Sequence, residues 1–259
     1  MKIETENLFF SYSEKKLLAG ISLKLDPGRF TVLLGPNGGG KSTLLKLLTG
    51  ELRPDSGEVR LDNRPVGEYS GRERAKKLGV VLQSVPPALD FTVREYVLTG
   101  RNARMSPFAA ASRADRTAVQ NAMELFQVEH LADHPCNQLS GGELQRTMLA
   151  AAWAVEPEIF LLDEPTSATD PAHTFAILNL LRRCAETRTV FMITHDLNLA
   201  GNFADRILLL KAGRIFADGT PENVLTPENL LEVYGVRVSV SRAPNGALAI
   251  LPGKENLHA

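Results

Sequence analysis

The chain has 259 residues with a formal net charge of −1, and 44% of the residues are hydrophobic and 23% charged. These values are typical of a globular protein with a large core, and they exclude binding to nucleic acid through bulk positive charge. No apolar run is long enough to cross a bilayer, and no secretory signal is expected. The two cysteines, Cys136 and Cys184, lie far apart without a metal or redox motif, which favours a reducing, cytosolic setting.

The first 83 residues are predicted to form mainly strands. Two partly alternating runs, 2–10 and 17–25, predict strands that are joined by a turn. A short apolar run at 30–34 predicts a strand buried on both faces, and a glycine loop follows it. The other elements expected in this part are a helix over 42–48 and strands at 58–61 and 78–82.

Residues 84–152 have a different sequence pattern, because they contain no further runs of β-branched residues. Helical patterns occur at 93–101, 113–127 and 142–153, with an irregular loop at 105–112. We therefore predict an all-helical subdomain that is inserted into an α/β core.

Strands and helices alternate again after residue 152, which is typical of a mainly parallel sheet covered by helices. The predicted strands are 159–162, 189–194 and 207–211, and the predicted helices are 173–187 and 197–202. The tail is expected to hold a helix near 227–234 and a small hairpin around 244–246. The predicted division of the chain is a first core part at 1–83, the helical subdomain at 84–152, a second core part at 153–220 and a tail at 221–259.

The glycine loop matches a phosphate-binding pattern. Residues 35–42, Gly-Pro-Asn-Gly-Gly-Gly-Lys-Ser, fit GxxxxGK[ST] between a predicted strand and a predicted helix, which is the context that the pattern requires. A glycine-rich turn without a ligand is the alternative, and this context argues against it. Lys41 is expected to contact the β- and γ-phosphates of ATP, and Ser42 to ligate Mg²⁺. The expected nucleotide-binding residues of this segment are Gly35, Pro36, Asn37, Gly38, Gly39, Gly40, Lys41, Ser42 and Thr43.

An acidic pair follows the apolar strand 159–162. Asp163 and Glu164 should lie at the carboxyl end of that strand, where ligands sit in open α/β sheets. Asp163 is expected to hold Mg²⁺ through water, and Glu164 to polarise the attacking water, either as the general base or as the group that orients it. Both acids could instead only cap the next helix, but the upstream Lys41 favours the catalytic interpretation.

A second anion site is predicted at Ser140, Gly141 and Gly142. These residues open a helix, where backbone N–H groups are free to bind an anion. A plain serine cap is the alternative; it would explain Ser140 but not two consecutive glycines at a helix start.

The segment Leu139-Ser-Gly-Gly-Glu-Leu-Gln-Arg146, together with the glycine loop and the acidic strand end, resembles the ATP-binding subunits of ATP-binding cassette (ABC) transporters. This resemblance implies a P-loop NTPase of the ABC type, with antiparallel strands at the N-terminus, and a head-to-tail homodimer with two ATP molecules between the subunits. It also implies roles for three single residues. Gln83 would touch Mg²⁺ and the attacking water, His195 would contact the γ-phosphate, and Tyr12 would stack on adenine.

Two further segments, 90–101 and 219–236, resemble ATPases that import iron chelates, haem or cobalamin, and the tail resembles haemin-import ATPases. The expected function is ATP hydrolysis that drives haem import, with a ferric siderophore or cobalamin as alternative cargo. The implied partners are two transmembrane permease subunits and, indirectly, a periplasmic haem- or iron-chelate-binding protein, with no nucleic acid. The implied location is peripheral, on the cytoplasmic face of the inner membrane. ABC ATPases that act on DNA or the ribosome are a less favoured class, because the chain has no sustained heptads and one cassette only.

Overall fold

The computed structural model describes residues 1–82, 90–106, 109–167 and 169–253. No helix in these ranges is long and apolar enough to cross a membrane. The strands are β1 (Ile3–Tyr12), β2 (Lys15–Leu25), β3 (Arg29–Leu34), β4 (Ser56–Leu61), β5 (Arg64–Pro65), β6 (Leu78–Val81), β7 (Ile159–Asp163), β8 (Thr189–Ile193), β9 (Arg206–Lys211), β10 (Arg214–Gly219), β11 (Val238–Arg242) and β12 (Leu248–Pro252). The helices are α1 (Lys41–Leu48), α2 (Gly71–Lys77), α3 (Val93–Thr99), α4 (Arg113–Leu125), α5 (Gly141–Ala154), α6 (Pro171–Ala185), α7 (Leu197–Phe203), α8 (Pro221–Val224) and α9 (Pro227–Tyr234).

A six-stranded sheet forms the centre of the molecule. Its strand order is β10-β9-β3-β8-β7-β6, and every neighbouring pair is parallel except β10 with β9. All five residues of β7 and of β8 are buried, because apolar side chains cover both faces of the sheet. The predicted fold class, a mainly parallel sheet in an α/β core, is confirmed.

A second sheet is antiparallel and contains the N-terminal strands in the order β2-β1-β4-β5. Its inward-facing residues join α1 and one face of the central sheet in a single apolar cluster, which includes Ile3, Leu23, Leu44 and Phe191. A second cluster covers the other face of the central sheet. The phosphate-loop helix α1 is therefore held between two sheets.

The predicted all-helical insertion is formed by α3, α4 and α5. Each of these helices begins with a capping box, in which a Thr or Ser side chain and an acidic residue three positions later satisfy each other's backbone N–H groups. The caps are Thr92, Ser112 and Ser140. The limits of this subdomain stay a prediction.

One buried guanidinium connects the ends of these three helices. Arg101, just after α3, donates to Asp115 on α4 (3.0 Å), to the Ala154 carbonyl at the end of α5 (2.9 Å) and to Glu156 (2.8 Å). Arg104 continues the attachment by donating to the Lys76 carbonyl on α2 (3.2 Å). A buried charge is tolerated here because each of these contacts supplies an acceptor.

The close approach of α3 to α5 requires Gly100. A Cβ atom at Gly100 would lie 1.9 Å from the Ala151 carbonyl oxygen, so α5 would have to move. We expect Gly100→Ala to lower the free energy of unfolding by about 1–3 kcal/mol, which is typical of overpacking. The matched control is Gly67→Ala, where a Cβ atom meets nothing within 4 Å. Urea unfolding curves measure both; equal midpoints for the two variants would contradict the packing account.

Candidate nucleotide-binding and hydrolysis site

A cavity of about 530 Å³ lies at the carboxyl edge of the central sheet, where β3, β7 and β8 end side by side. It is open to solvent on one side and combines backbone, cationic and acidic groups. The residues that line it are Leu17, Asn37, Gly38, Gly40, Lys41, Ser42, Thr43, Asp163, Glu164 and His195. The structure therefore brings together the predicted phosphate loop, the acidic pair and the predicted γ-phosphate histidine.

The loop between β3 and α1 needs glycine for its shape. Gly38 and Gly40 have φ values of 73° and 99°, in the left-handed region that other residues rarely adopt. Gly40 is also the residue before the first turn of α1, and a Cβ atom there would lie 2.7 Å from a Leu18 methyl group. The loop can thus curve around an anion in front of the α1 N-terminus, as a phosphate-binding loop must.

Lys41 is folded back over this loop. Its Nζ donates to the carbonyl oxygens of Gly35 (2.7 Å) and Pro36 (3.0 Å), and the side chain is largely buried. Burial lowers the pKa of the Lys41 ammonium, whereas the nearby carboxylates of Glu164 and Asp163 act in the opposite direction. The cation is thus positioned between the loop and the acidic strand end.

Asp163 is the last residue of β7 and is only 5% exposed. Burial raises the pKa of its carboxyl group, and the Ser42 side chain acts in the opposite direction. Hydroxyl and carboxylate oxygens are hard ligands of the kind that Mg²⁺ prefers, usually together with substrate phosphates. Ser42 and Asp163 both face the cavity, so the donor set present fits the Mg²⁺ that the sequence predicted.

Glu164 has a φ of 49°, an uncommon conformation for a residue with a side chain. Its backbone N–H donates to the Ile193 carbonyl of β8 (3.0 Å), which ties the residue to the neighbouring strand. Its Oε1 lies 3.2 Å from Nδ1 of His195, whose side chain is 63% exposed and can move within the cavity. Strained backbone of this kind clusters at functional sites, because the surrounding structure must hold it there.

Two parts of the predicted site, Ser140–Gly142 and Tyr12, do not line the cavity of this single chain. Ser140 caps α5, with its Oγ accepting from the Glu143 N–H (3.4 Å), and neither it nor the two following glycines line the cavity. Tyr12 lies at the end of β1, is 50% exposed and packs against Phe10. Gln83 lies outside the described residues. The roles of these residues stay predictions.

Leu17 lines the cavity and was not expected there. It lies on β2, and a Cβ atom at Gly40 would come within 3.3 Å of its side chain. The sequence gives no signal for this position, because an apolar residue in a strand usually faces a core and only the pairing of β2 brings it to the loop. Its place beside the loop provides an apolar wall.

Together, the sheet order and the glycine loop at its carboxyl edge define a P-loop nucleoside triphosphatase. Comparison with known proteins gives the family. A family described as ABC transporter matches residues 18–167. The Hemin import ATP-binding protein of Pseudomonas putida is 42% identical over 248 residues, which cover 93% of this chain and 96% of that protein. The protein of the same name from Rhodopseudomonas palustris is 40% identical over 252 residues, covering 94% of each chain.

Solved structures agree with this result. A metal-chelate type ABC transporter in an inward-facing conformation has a TM-score of 0.86 at 31% identity and covers 98% of both chains. A dimeric bacterial ABC transporter cassette has a TM-score of 0.73 at 31% identity, with 85% of this chain and 98% of that chain covered. The chain belongs to the ABC transporter family, as an ATP-binding subunit that hydrolyses ATP.

Ionised Asp163 should weaken the fold at neutral pH. Since its pKa is raised in the folded state, the cost of burying the charge appears as pH rises above the ordinary carboxyl range and is absent below it. We therefore expect Asp163→Asn to raise the melting temperature at pH 7, by about 2–4 °C for each kcal/mol relieved. The gain should shrink towards pH 4. Calorimetry at both pH values measures it, and a gain that grows on acidification would contradict the sign of this shift.

Proposed function

We propose that this chain hydrolyses Mg²⁺–ATP in the cavity at the carboxyl edge of the sheet and uses the energy to drive haem import through a separate permease. The observation that carries the hydrolytic part is the convergence of Lys41, Asp163, Glu164 and His195 on one cavity next to the glycine loop. These are the groups needed to bind phosphates, hold a metal ion and orient a water molecule.

Each group has a separate task in this proposal. The loop N–H groups and Lys41 bind the phosphates, and Glu164 accepts a proton from the attacking water. His195 orients the γ-phosphate; this role is supported by its contact with Glu164 (3.2 Å), which shows that the two side chains lie next to each other in the cavity. Mg²⁺, held by Ser42, Asp163 and Gln83, would neutralise negative charge on the phosphates.

The predicted second anion site at Ser140–Gly142 is proposed to bind the nucleotide of the partner subunit. Ser140, Gly141 and Gly142 stand at the start of α5, whose first N–H groups can bind an anion, yet they do not line the cavity of their own chain. A head-to-tail homodimer would bring them to the γ-phosphate of the other subunit, with Tyr12 stacking on adenine. Sharing of each site by two chains explains how nucleotide binding closes the dimer.

The cargo is proposed from the relatives. Those named Hemin import ATP-binding protein match 93% and 94% of this chain. We propose haem as cargo, two permease subunits as membrane partners, and a periplasmic haem-binding protein that acts through the permease. The subunit would then lie peripherally on the cytoplasmic face of the inner membrane. A ferric siderophore or cobalamin is the second candidate, favoured by the likeness to a metal-chelate type transporter.

Removal of the proposed base tests the hydrolytic mechanism. Glu164→Gln should bind ATP as before but hydrolyse it about 10²–10⁴ times more slowly, because the amide keeps the shape of the side chain and cannot accept the proton. The trapped nucleotide should also hold the dimer closed, which size-exclusion chromatography with ATP would detect. The control is Glu186→Gln, the same change at an exposed helix end. Near-normal turnover of Glu164→Gln would remove Glu164 from this role.

The cargo is tested separately. Subunit, permease and binding protein are reconstituted in lipid vesicles, and ATP-dependent accumulation of haem, a ferric siderophore or cobalamin is followed. We expect haem alone to accumulate, and no cargo to accumulate with the Glu164→Gln subunit. Accumulation of a siderophore or cobalamin without haem would refute the cargo and leave the ATPase mechanism standing.

A further inference from the structure

Among the described residues, the outer edge of the tail strand β12 pairs with side chains of α7 and with no further strand. Asn198 donates from Nδ2 to the Ile250 carbonyl (3.3 Å) and accepts from the Ile250 N–H (2.8 Å). Asn202 does the same with Leu248, at 2.9 Å and 2.8 Å. We call these four hydrogen bonds the asparagine clamp.

The clamp forms because the spacing of residues along a helix matches the spacing of residues along a strand. Residues four apart on a helix are separated by about 6 Å along its axis, and residues two apart on a strand by about 6.6 Å. Asn198 and Asn202 therefore meet, in register, the two residues of β12 whose backbone N–H and C=O groups point to its outer edge. The backbone groups of Leu248 and Ile250 are satisfied as they would be by a neighbouring strand, while their side chains are buried against the core.

Gly201 brings the helix and the tail into direct contact. A Cβ atom there would lie 2.7 Å from a Leu248 methyl group and 3.1 Å from one of Leu225. The tail is thus packed on α7 through both polar and apolar contacts.

Helix α7 starts two residues after His195. Asp196, between them, caps the helix by accepting from the Leu199 N–H (2.9 Å), and its own N–H donates to the buried Thr194 hydroxyl (3.2 Å). The backbone on either side of His195 is therefore fixed by β8 before it and by α7 after it. Since α7 is short and exposed in part, its orientation depends on what packs against it.

The same tail also reaches the start of the glycine loop. The phenol of Tyr234, at the end of α9, lies against the backbone of Gly35, where the glycine loop begins; burial raises its pKa to about 12, and the Gly35 backbone acts in the opposite direction. Its hydroxyl has no hydrogen bond of good geometry within the described residues. Leu230 and Val233 fix α9 in the core, so the tail is attached near the glycine loop as well as at α7.

We propose that Asn198 and Asn202 are positioning residues for ATP hydrolysis: by clamping β12 they fix α7 and hold His195 at the γ-phosphate. This inference rests on the proposed function, since it assumes that His195 acts in hydrolysis. The tail thereby becomes part of the hydrolytic machinery without touching the nucleotide.

The test is the double variant Asn198→Ala/Asn202→Ala in the full chain. We expect kcat to fall about tenfold, less than the roughly 10²-fold loss that a 1 Å misplacement can cause, with KM for ATP nearly unchanged because the glycine loop is intact. The control is Asn179→Ala on α6, which is exposed. If the double variant does not fold, Asn198→Asp serves instead, because it keeps the acceptor for the Ile250 N–H and replaces the donor with a carboxylate oxygen that repels the Ile250 carbonyl.

A double-mutant cycle separates positioning from general support of the fold. In a His195→Ala background the clamp variant should cost less than about twofold in kcat, since the residue that it positions is absent. The same tenfold loss in both backgrounds, or no loss in either, would overturn the inference. If the unaltered chain does not hydrolyse ATP at all, the proposed function fails instead, so the two failures are distinguishable.

A spectroscopic measurement tests the inference without turnover. In chain labelled with ¹³C-histidine, the Cε1–H resonance of His195, assigned by its loss in His195→Ala, should shift or broaden in the clamp variant. The resonance of His130, in the helical subdomain, should not change. A His195 resonance that is identical in both chains would also overturn the inference.

Discussion

The parallel pairing of β3, β8 and β7 fixes the positions of the phosphate loop, the acidic pair and His195 at the cavity. In this register Leu33 is opposite Ile193, and Ile193 is opposite Asp163, so the three strands end together. The glycine loop, the acidic pair and His195 all follow these ends. A slip of one residue would turn each side chain to the other face of the sheet, but the strands are buried on both faces and the apolar clusters on either side hold the register.

The site contains buried charged side chains and a strained backbone conformation, which are unfavourable for folding. Lys41 and Asp163 are charged and buried, and Glu164 has a positive φ. Such features lower stability unless the surrounding structure supports them. Here the support comes from apolar packing on both faces of the sheet and from hydrogen bonds to neighbouring strand ends, such as that between Glu164 and Ile193. Packing in the core thus stabilises the positions of the reactive groups.

Sequence patterns predicted the elements and the site groups that depend on neighbours in the chain. The loop around Lys41 and the strand ending in Asp163 were found because phosphate binding imposes a local spacing and a buried strand imposes an apolar run. Contacts between distant segments could not be predicted. Asn198 meets Ile250 across 52 positions, and Leu17 meets the glycine loop only through strand pairing. Neither pair has a periodicity that would reveal it, and helix α8 was missed because it has a single turn.

The buried Arg101 holds one end of α5, so that a rotation of the helix about this end moves the other end. Its guanidinium fixes the Ala154 end of this 14-residue helix, whereas the Ser140 end is held by its capping box and by the packing of Gly142 against His173. The helix is about 21 Å long, so a rotation of about 10° around the fixed end would carry Ser140 by roughly 4 Å. A displacement of that size is longer than a hydrogen bond. Small angular changes at the guanidinium therefore suffice to make or break contacts at the far end of the helix.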